Sequence, residues 1–374
     1  MTYRSQNHAF SVENMNIMKH RQTNKTKTTD IDKKVPSNVS DQNNEIAVKP
    51  KEPPKPRKKY VEAKPINEEF KGLYWIGDLP FYLFYHCKSK VWTKTDFAEE
   101  SAYKGGLKYP CAVRMDKQDI IIFTGGWDNY TGEASNCAFK ANITKISLFE
   151  AITSMTFKRY GHCSISVGNT VYVIGGFDHQ DTETTSPSTL MSCEKYDLNS
   201  NMWINWGNLI HPVAFAAIWN VNDHFYLFGG FEDYNTVDVI QRYNSKSDEW
   251  ELLNTNLPVK LAKMGAANVE NEEILIVGGI FEDSNSDNPL SLINNTYKLQ
   301  IKHMKWGRAS PMRNRRTLNS TLYSFENQFY VVGSSTQGSC EKYDPEANKW
   351  INIASYEHIL SNNDLQSFSV FMYD

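Results

Sequence analysis

The sequence predicts an all-β protein built from a repeated antiparallel unit of about 50 residues, and three observations lead there. Gly-Gly doublets stand at Gly125-Gly126, Gly175-Gly176, Gly229-Gly230 and Gly278-Gly279, with a degraded copy at Gly333-Ser334, spaced 50, 54, 49 and 55 residues apart. A short β-branched or aromatic run precedes each doublet, for example Val171-Tyr172-Val173-Ile174 and Phe225-Tyr226-Leu227-Phe228. Past three of the doublets a Tyr and a Trp follow seven positions apart, at Tyr196/Trp203, Tyr243/Trp250 and Tyr343/Trp350. The hexapeptide Ser192-Cys193-Glu194-Lys195-Tyr196-Asp197 recurs letter for letter at Ser339–Asp344.

Taken in order, the first 64 residues stand apart. They hold 14 Lys or Arg against 7 Asp or Glu, few large apolar residues, and a Pro- and Lys-rich run from Lys49 to Lys59. Such a segment cannot bury enough apolar area to offset its ordering entropy, so residues 1–64 are expected to be a disordered basic tail. Residues 65–374 are expected to form the folded domain. The net charge of the whole chain is −3, which leaves −10 on those residues and argues against a nucleic-acid-binding body. The basic run Lys55–Lys59 reads as a nuclear address, an anionic-surface tether or a solvated linker, and the linker needs no partner to explain it. The chain opens without a signal-peptide pattern and has no apolar window of about 18 residues, so a cytoplasmic protein is expected. The six cysteines form no CxxC pair and read as free core residues.

Within each unit the run before the doublet is continuously apolar, as a strand buried on both faces requires. Turn formers such as Asp197-Leu198-Asn199-Ser200-Asn201 separate Tyr from Trp, so each pair reads as two strands joined by a tight turn. Two units depart from the pattern. Tyr297 and Trp306 are nine apart, and the unit after Gly126 offers Phe139 and Phe149 instead of Tyr and Trp.

The doublets, their preceding strands and the Tyr-x6-Trp tails resemble the kelch-repeat β-propeller family over residues 79–374. The resemblance implies four antiparallel strands per blade, a to d from the central channel outwards. In the second unit these are His162–Val167, Val171–Gly175, about Cys193–Tyr196, and the region of Trp203. Five doublets account for five blades. Tyr85 and Trp92 make an orphan c and d pair, and Ser367–Tyr373 is a strand with no successor. Joining them, with Leu73–Ile76 as strand b, closes a six-bladed ring in which the two ends of the chain share one blade and no sheet edge is left open around the ring.

The resemblance also sets the functional alternatives, because propellers host adaptors and enzymes alike. The family's copper oxidases need imidazoles and tyrosinates, but His162 and His211 have no third ligand at matching positions. Glu282–Asn288 begins like a calcium loop and fails at Asn288 and Asn294. No metal and no cofactor are expected. Counting back 15 to 17 residues from the doublets lands on Lys108, Arg159, Val213, Lys263 and Arg316, basic in four of five units, with Arg315 adjacent. Antiparallel pairing places these residues on the face of the b–c loops, which are acidic and polar. One reading is a basic ring of Lys108, Arg159, Lys263, Arg315 and Arg316 that captures an acidic peptide; the other is structural arginines that pair within or between blades. The expectation is a noncatalytic, monomeric interaction module for a protein partner. The alternative is a kelch-fold enzyme, oxidase- or sugar-epimerase-like, acting on a small molecule at the channel mouth.

Overall fold

A computed structural model of the chain describes residues 70–115, 118–180, 187–269, 272–282, 290–318, 320–332, 339–356, 359 and 368–373. The expected disordered tail at 1–64 with its Lys55–Lys59 run, the degraded doublet Gly333-Ser334, and most of the calcium-like loop lie outside the described residues.

Six main sheets make up the body among the described residues, each built on four antiparallel strands, and in one of them Ser320-Thr321 adds a fifth strand in parallel beside Gly265–Val269. One runs Cys163–Val167, Thr170–Ile174, Ser192–Asp197, Met202–Asn208, and the next Ala217–Val221, His224–Glu232, Asn235–Asn244, Glu249–Leu252. In the meander that holds both ends of the chain, Phe368–Tyr373 pairs with Gly72–Gly77, which pairs with Phe81–His86 and through it with Val91–Asp96. The expected sharing of one sheet by N- and C-terminal strands is therefore present. Strands at position a neighbour one another around the axis, Cys111–Arg114 beside Cys163–Val167 and the latter beside Ala217–Val221. No helix among the described residues is long and apolar enough to cross a membrane.

The aromatic pattern follows from the c–d turn. Tyr196 pairs across strands with Trp203, Tyr243 with Trp250, Tyr343 with Trp350, and Tyr85 with Trp92. The Tyr196 and Tyr343 hydroxyls donate to Asn201 and Asn348 Oδ1 at 2.8 Å, and both asparagines hold positive φ in the turn. The indole then reaches the preceding meander. Trp203 Nε1 donates to the Thr153 carbonyl at 2.7 Å, Trp350 to Ser310 at 2.9 Å, and Trp92 to Ala354 at 2.8 Å across 262 positions of sequence. The last of these bonds fastens the two ends of the chain.

Pairing also explains the two irregular units. The residue opposite Trp306 is Leu299, seven positions before it. Tyr297 instead lies opposite Ile276 and matches Glu194, which lies opposite Val173. Phe139, opposite Phe123, likewise stands in the Glu194 place, so Ala141 and not Phe139 replaces the wedge tyrosine. Phe149 keeps its packing role and is buried against Tyr103 and Phe123.

Candidate partner-binding face

Backbone hydrogen bonds link the segments that enter successive meanders. Gly161 N donates to Tyr109 O, Phe215 N to Gly161 O, Lys263 N to Phe215 O and Leu318 N to Lys263 O, at 3.1, 2.6, 2.8 and 2.6 Å. Tyr109, Phe215 and Lys263 hold φ near +52°. These residues form an iris at the end of the channel that faces the b–c loops. The Phe215 ring covers Gly161, and Tyr109 meets it edge-on at 5.2 Å. Tyr160, Phe177, Phe231 and Tyr234 complete one buried aromatic cluster with them.

A second tier of short strands lies over the iris. Leu107-Lys108 pairs with Trp127-Asp128, which pairs with Glu133-Ala134; Leu261-Ala262 pairs with Ile280–Glu282, which pairs with Leu290–Leu292. Bridges from Tyr160 to Phe177 and from Ala214 to Phe231 repeat the arrangement between them. The described stems of these b–c loops are therefore held by backbone hydrogen bonds.

The iris register separates the expected basic ring into unlike positions. Arg159, Val213, Leu261 and Arg316 each lie two residues before an iris residue, and the carbonyls of Arg159, Val213 and Arg316 accept from Gly126, Gly176 and Gly279 N. Lys263 is itself an iris residue, and Lys108 directly precedes the iris residue Tyr109. A fixed count from the doublet mixed these positions because the number of residues between the iris and the doublet differs from unit to unit, through the a–b turn or through the entry to strand a.

Arg159 and Arg316 do not face a partner. Both are fully buried. Arg159 Nη1 donates to Gly175 O at 2.6 Å and Ser192 O at 3.0 Å, and Nη2 donates to Glu194 Oε2 at 2.9 Å. Arg316 repeats the set, with Nη1 to Ser339 O at 2.7 Å and Nη2 to Glu341 Oε1 at 2.6 Å. The two carboxylates are also fully buried, and each caps the incoming loop: Glu194 accepts from Thr156 and Phe157 N, Glu341 from Arg313 and Asn314 N. Burial pulls the Arg159 guanidinium down, and Glu194 opposes that shift. At these two residues the structure places an internal tie: each guanidinium pairs with a buried carboxylate, Glu194 or Glu341.

The chain supplies its own control. Where Val213 replaces the arginine, the carboxylate position holds Gln241, which accepts from Ile210 and His211 N and donates to His211 O. Leu261 faces Tyr297 in the same register, and Leu107 faces Phe139. Charge appears at both positions or at neither, as the cost of an unpaired buried charge requires.

Lys263 is the unusual cation. It is 5% exposed, and its Nζ lies 4.4 Å from the Phe215 ring centroid and 4.7 Å from that of Tyr109. Burial pushes its pKa down to about 7, and the two ring faces recover part of the lost hydration. A lysine whose folded pKa lies below its unfolded value near 10.4 carries a folding penalty that is full below pH 7 and fades as pH rises toward 10.4. Lys263→Met is therefore expected to stabilise the fold by about 2–4 kcal/mol at pH 6–7 and by little at pH 10, read from urea midpoints. A stability gap independent of pH would contradict this. His162, buried with Nε2 2.9 Å from Thr124 Oγ1, is held neutral by burial and then by Arg159.

The residues that do reach solvent on this face are fewer. Lys108 is half-buried and Arg315 is exposed. Around them stand exposed apolar groups that sequence inspection did not single out: Tyr130 at 90% exposure, Phe157 at 36% and Ile210 at 46%. Lys158 is paired with Glu133 at 2.6 Å. No group of three or more potential metal-ligating side chains occurs among the described residues.

The sequence profile described as the KLHDC2/KLHL20/DRC7 kelch-repeats domain matches residues 110–334. Human Kelch-like protein 23 is 28% identical over 239 residues, which cover 62% of this chain and 39% of that protein. Kelch-like protein 25 of Xenopus tropicalis is 29% identical over 55% of this chain and 34% of its own length. Kelch repeat and BTB domain-containing protein 1 of camelpox virus is 23% identical over 65% of this chain and 42% of its own length. The chain thus matches only about two fifths or less of these relatives. Among solved structures, that of YjhT aligns with a TM-score of 0.62 at 15% identity, covering 76% of this chain and 95% of YjhT, a likeness of fold. Repeated meanders, glycine doublets against the next blade's carbonyls, Trp pins and the profile match converge, and the chain belongs to the kelch-repeat family as an all-β kelch propeller.

Proposed function

We propose that this propeller is a noncatalytic module that binds a partner protein on the face of the b–c loops. One observation carries the reading: the loop-side end of the channel is filled by the aromatic iris and roofed by the paired second tier. The described loop stems offer a surface held in place by backbone pairing, and such pre-ordering reduces the entropy lost on docking. Tyr130, Phe157 and Ile210 supply apolar contact, while Lys108 and Arg315 supply the cations for an acidic partner segment. The similarity to Kelch-like proteins 23 and 25 is in keeping with this reading.

The test is quantitative affinity capture with the wild-type chain, a loop-face variant Tyr130→Asp/Arg315→Glu, and a turn-face control Lys349→Glu. Both changed residues of the loop-face variant are exposed, so the fold should persist. Partners that fall at least about tenfold on the loop-face variant and stay on the control support the assignment. Partners lost equally from both, or retained by both, place the interface elsewhere. Stoichiometric copper or iron in the purified protein would instead favour the enzyme reading.

A further inference from the structure

The opposite face of the propeller, which carries the a–b and c–d turns, holds an open cleft among the described residues. It encloses about 950 Å³ between the last meander and the one that holds both chain ends. Its lining includes Tyr85, Cys87, Phe325, Tyr330, Ile353 and the lysines 88, 90 and 342. A volume of that order accommodates a small organic ligand.

The walls are apolar and braced. Tyr85 and Tyr330 are buried in one aromatic and aliphatic cluster, with Phe325 and Ile353 packed against it. Tyr85 packs at 5.1 Å against Trp92 in a tilted ring pair, and the Trp92 indole is tied to Ala354 in the opposite wall. Cys87 and Tyr330 stand together in this lining, and burial pushes the Cys87 thiol up to about 12. Tyr85 is 2% exposed and lines the cleft.

Charge selects the ligand. Lys88 and Lys90 stand exposed in the c–d turn at one rim, and Lys342 is held at the other by a 2.6 Å bond from its Nζ to Gln328 Oε1. Glu326 is the one acidic residue among the lining residues. The neighbouring groove, about 490 Å³, differs: its Lys298 is neutralised by Glu273 at 2.8 Å, and Glu346 also lines it.

From this geometry we infer that the cleft is a binding site for a small organic anion with a flat apolar body, such as an aromatic carboxylate or sulfonate. The ring lies against Tyr85, Tyr330, Phe325 and Ile353, and the anion meets the three lysines. This inference is independent of the loop-face proposal.

Anilinonaphthalene sulfonate is the probe. Its fluorescence is expected to rise saturably with one molecule per chain and to raise the melting temperature, since it bridges the two meanders that close the ring. Lys88→Glu, in an exposed turn, and Lys342→Glu should each weaken binding about tenfold while leaving the melting temperature of the free protein unchanged. The uncharged analogue N-phenylnaphthylamine should bind at least about tenfold more weakly than the sulfonate. Equal binding of the uncharged analogue, equal binding by both lysine variants, or a folded protein with no saturable binding would each overturn the inference.

Discussion

Arg159→Val is expected to destabilise the propeller by about 3–5 kcal/mol, because it strips a fully buried Glu194 of its counter-charge. The remaining donors to Glu194, the Thr156 and Phe157 backbone N–H groups, do not neutralise a carboxylate in a dry interior. The informative variant is the pair Arg159→Val with Glu194→Gln. The chain already uses that combination at Val213 and Gln241, where the amide caps the Ile210 and His211 N–H groups and also donates to the His211 carbonyl. The double variant should recover at least about 2 kcal/mol of the loss, a coupling typical of residues that share one network. Denaturant midpoints of the wild type, both singles and the double measure it. A double variant no more stable than Arg159→Val would mean that the guanidinium bonds to Gly175 O and Ser192 O, rather than the charge pair, hold the joint.

Gly229→Ala is expected to cost about 3 kcal/mol or more for a different reason. Gly229 has φ +52°, and a Cβ there would press into the Leu261 carbonyl of the next blade and lie 2.9 Å from the Met264 methyl. The left-handed conformation alone costs a non-glycine residue about 1–2 kcal/mol, and the overlap with a backbone carbonyl adds about 1–3 kcal/mol. Gly168→Ala separates the two terms. It has φ +58° with nothing within 4 Å, so it should lose only about 1 kcal/mol. Equal losses at the two positions would show that blade-to-blade approach does not require glycine at the doublet.

Much of the scaffold was legible because its constraints are local. A strand that ends against a neighbour's carbonyl needs glycine, and a c–d turn of fixed length sets Tyr and Trp seven apart. The same rule, applied through pairing, shows that Leu299 and Ala141 stand where a tyrosine was expected, which the identities of Tyr297 and Phe139 had obscured. The candidate site was less legible. Lys108, Arg159, Lys263 and Arg316 share a charge and a rough distance from a doublet, yet they occupy unlike places: a tier strand, two buried ties and an iris. A one-residue difference in an a–b turn moves a side chain from one place to another, and residue type does not reveal it. The repeated glutamate of Ser192–Asp197 and Ser339–Asp344 was the available signal that the arginines had internal partners, since Glu194 and Glu341 accompany arginine and Gln241 accompanies valine.

Residue order alone carries the repeat, the strand order within a unit and the way the chain ends share a sheet, because each follows from periodicity and from the need to pair open edges. Only the tertiary structure decides which cations are spent inside, that Tyr109, Gly161, Phe215, Lys263 and Leu318 meet through backbone bonds, and that a lysine-rimmed cleft opens on the other face. Those features are made by residues such as Tyr85 and Tyr330, or Tyr109, Phe215 and Lys263, which lie far apart in sequence and meet only when the blades pack around the axis.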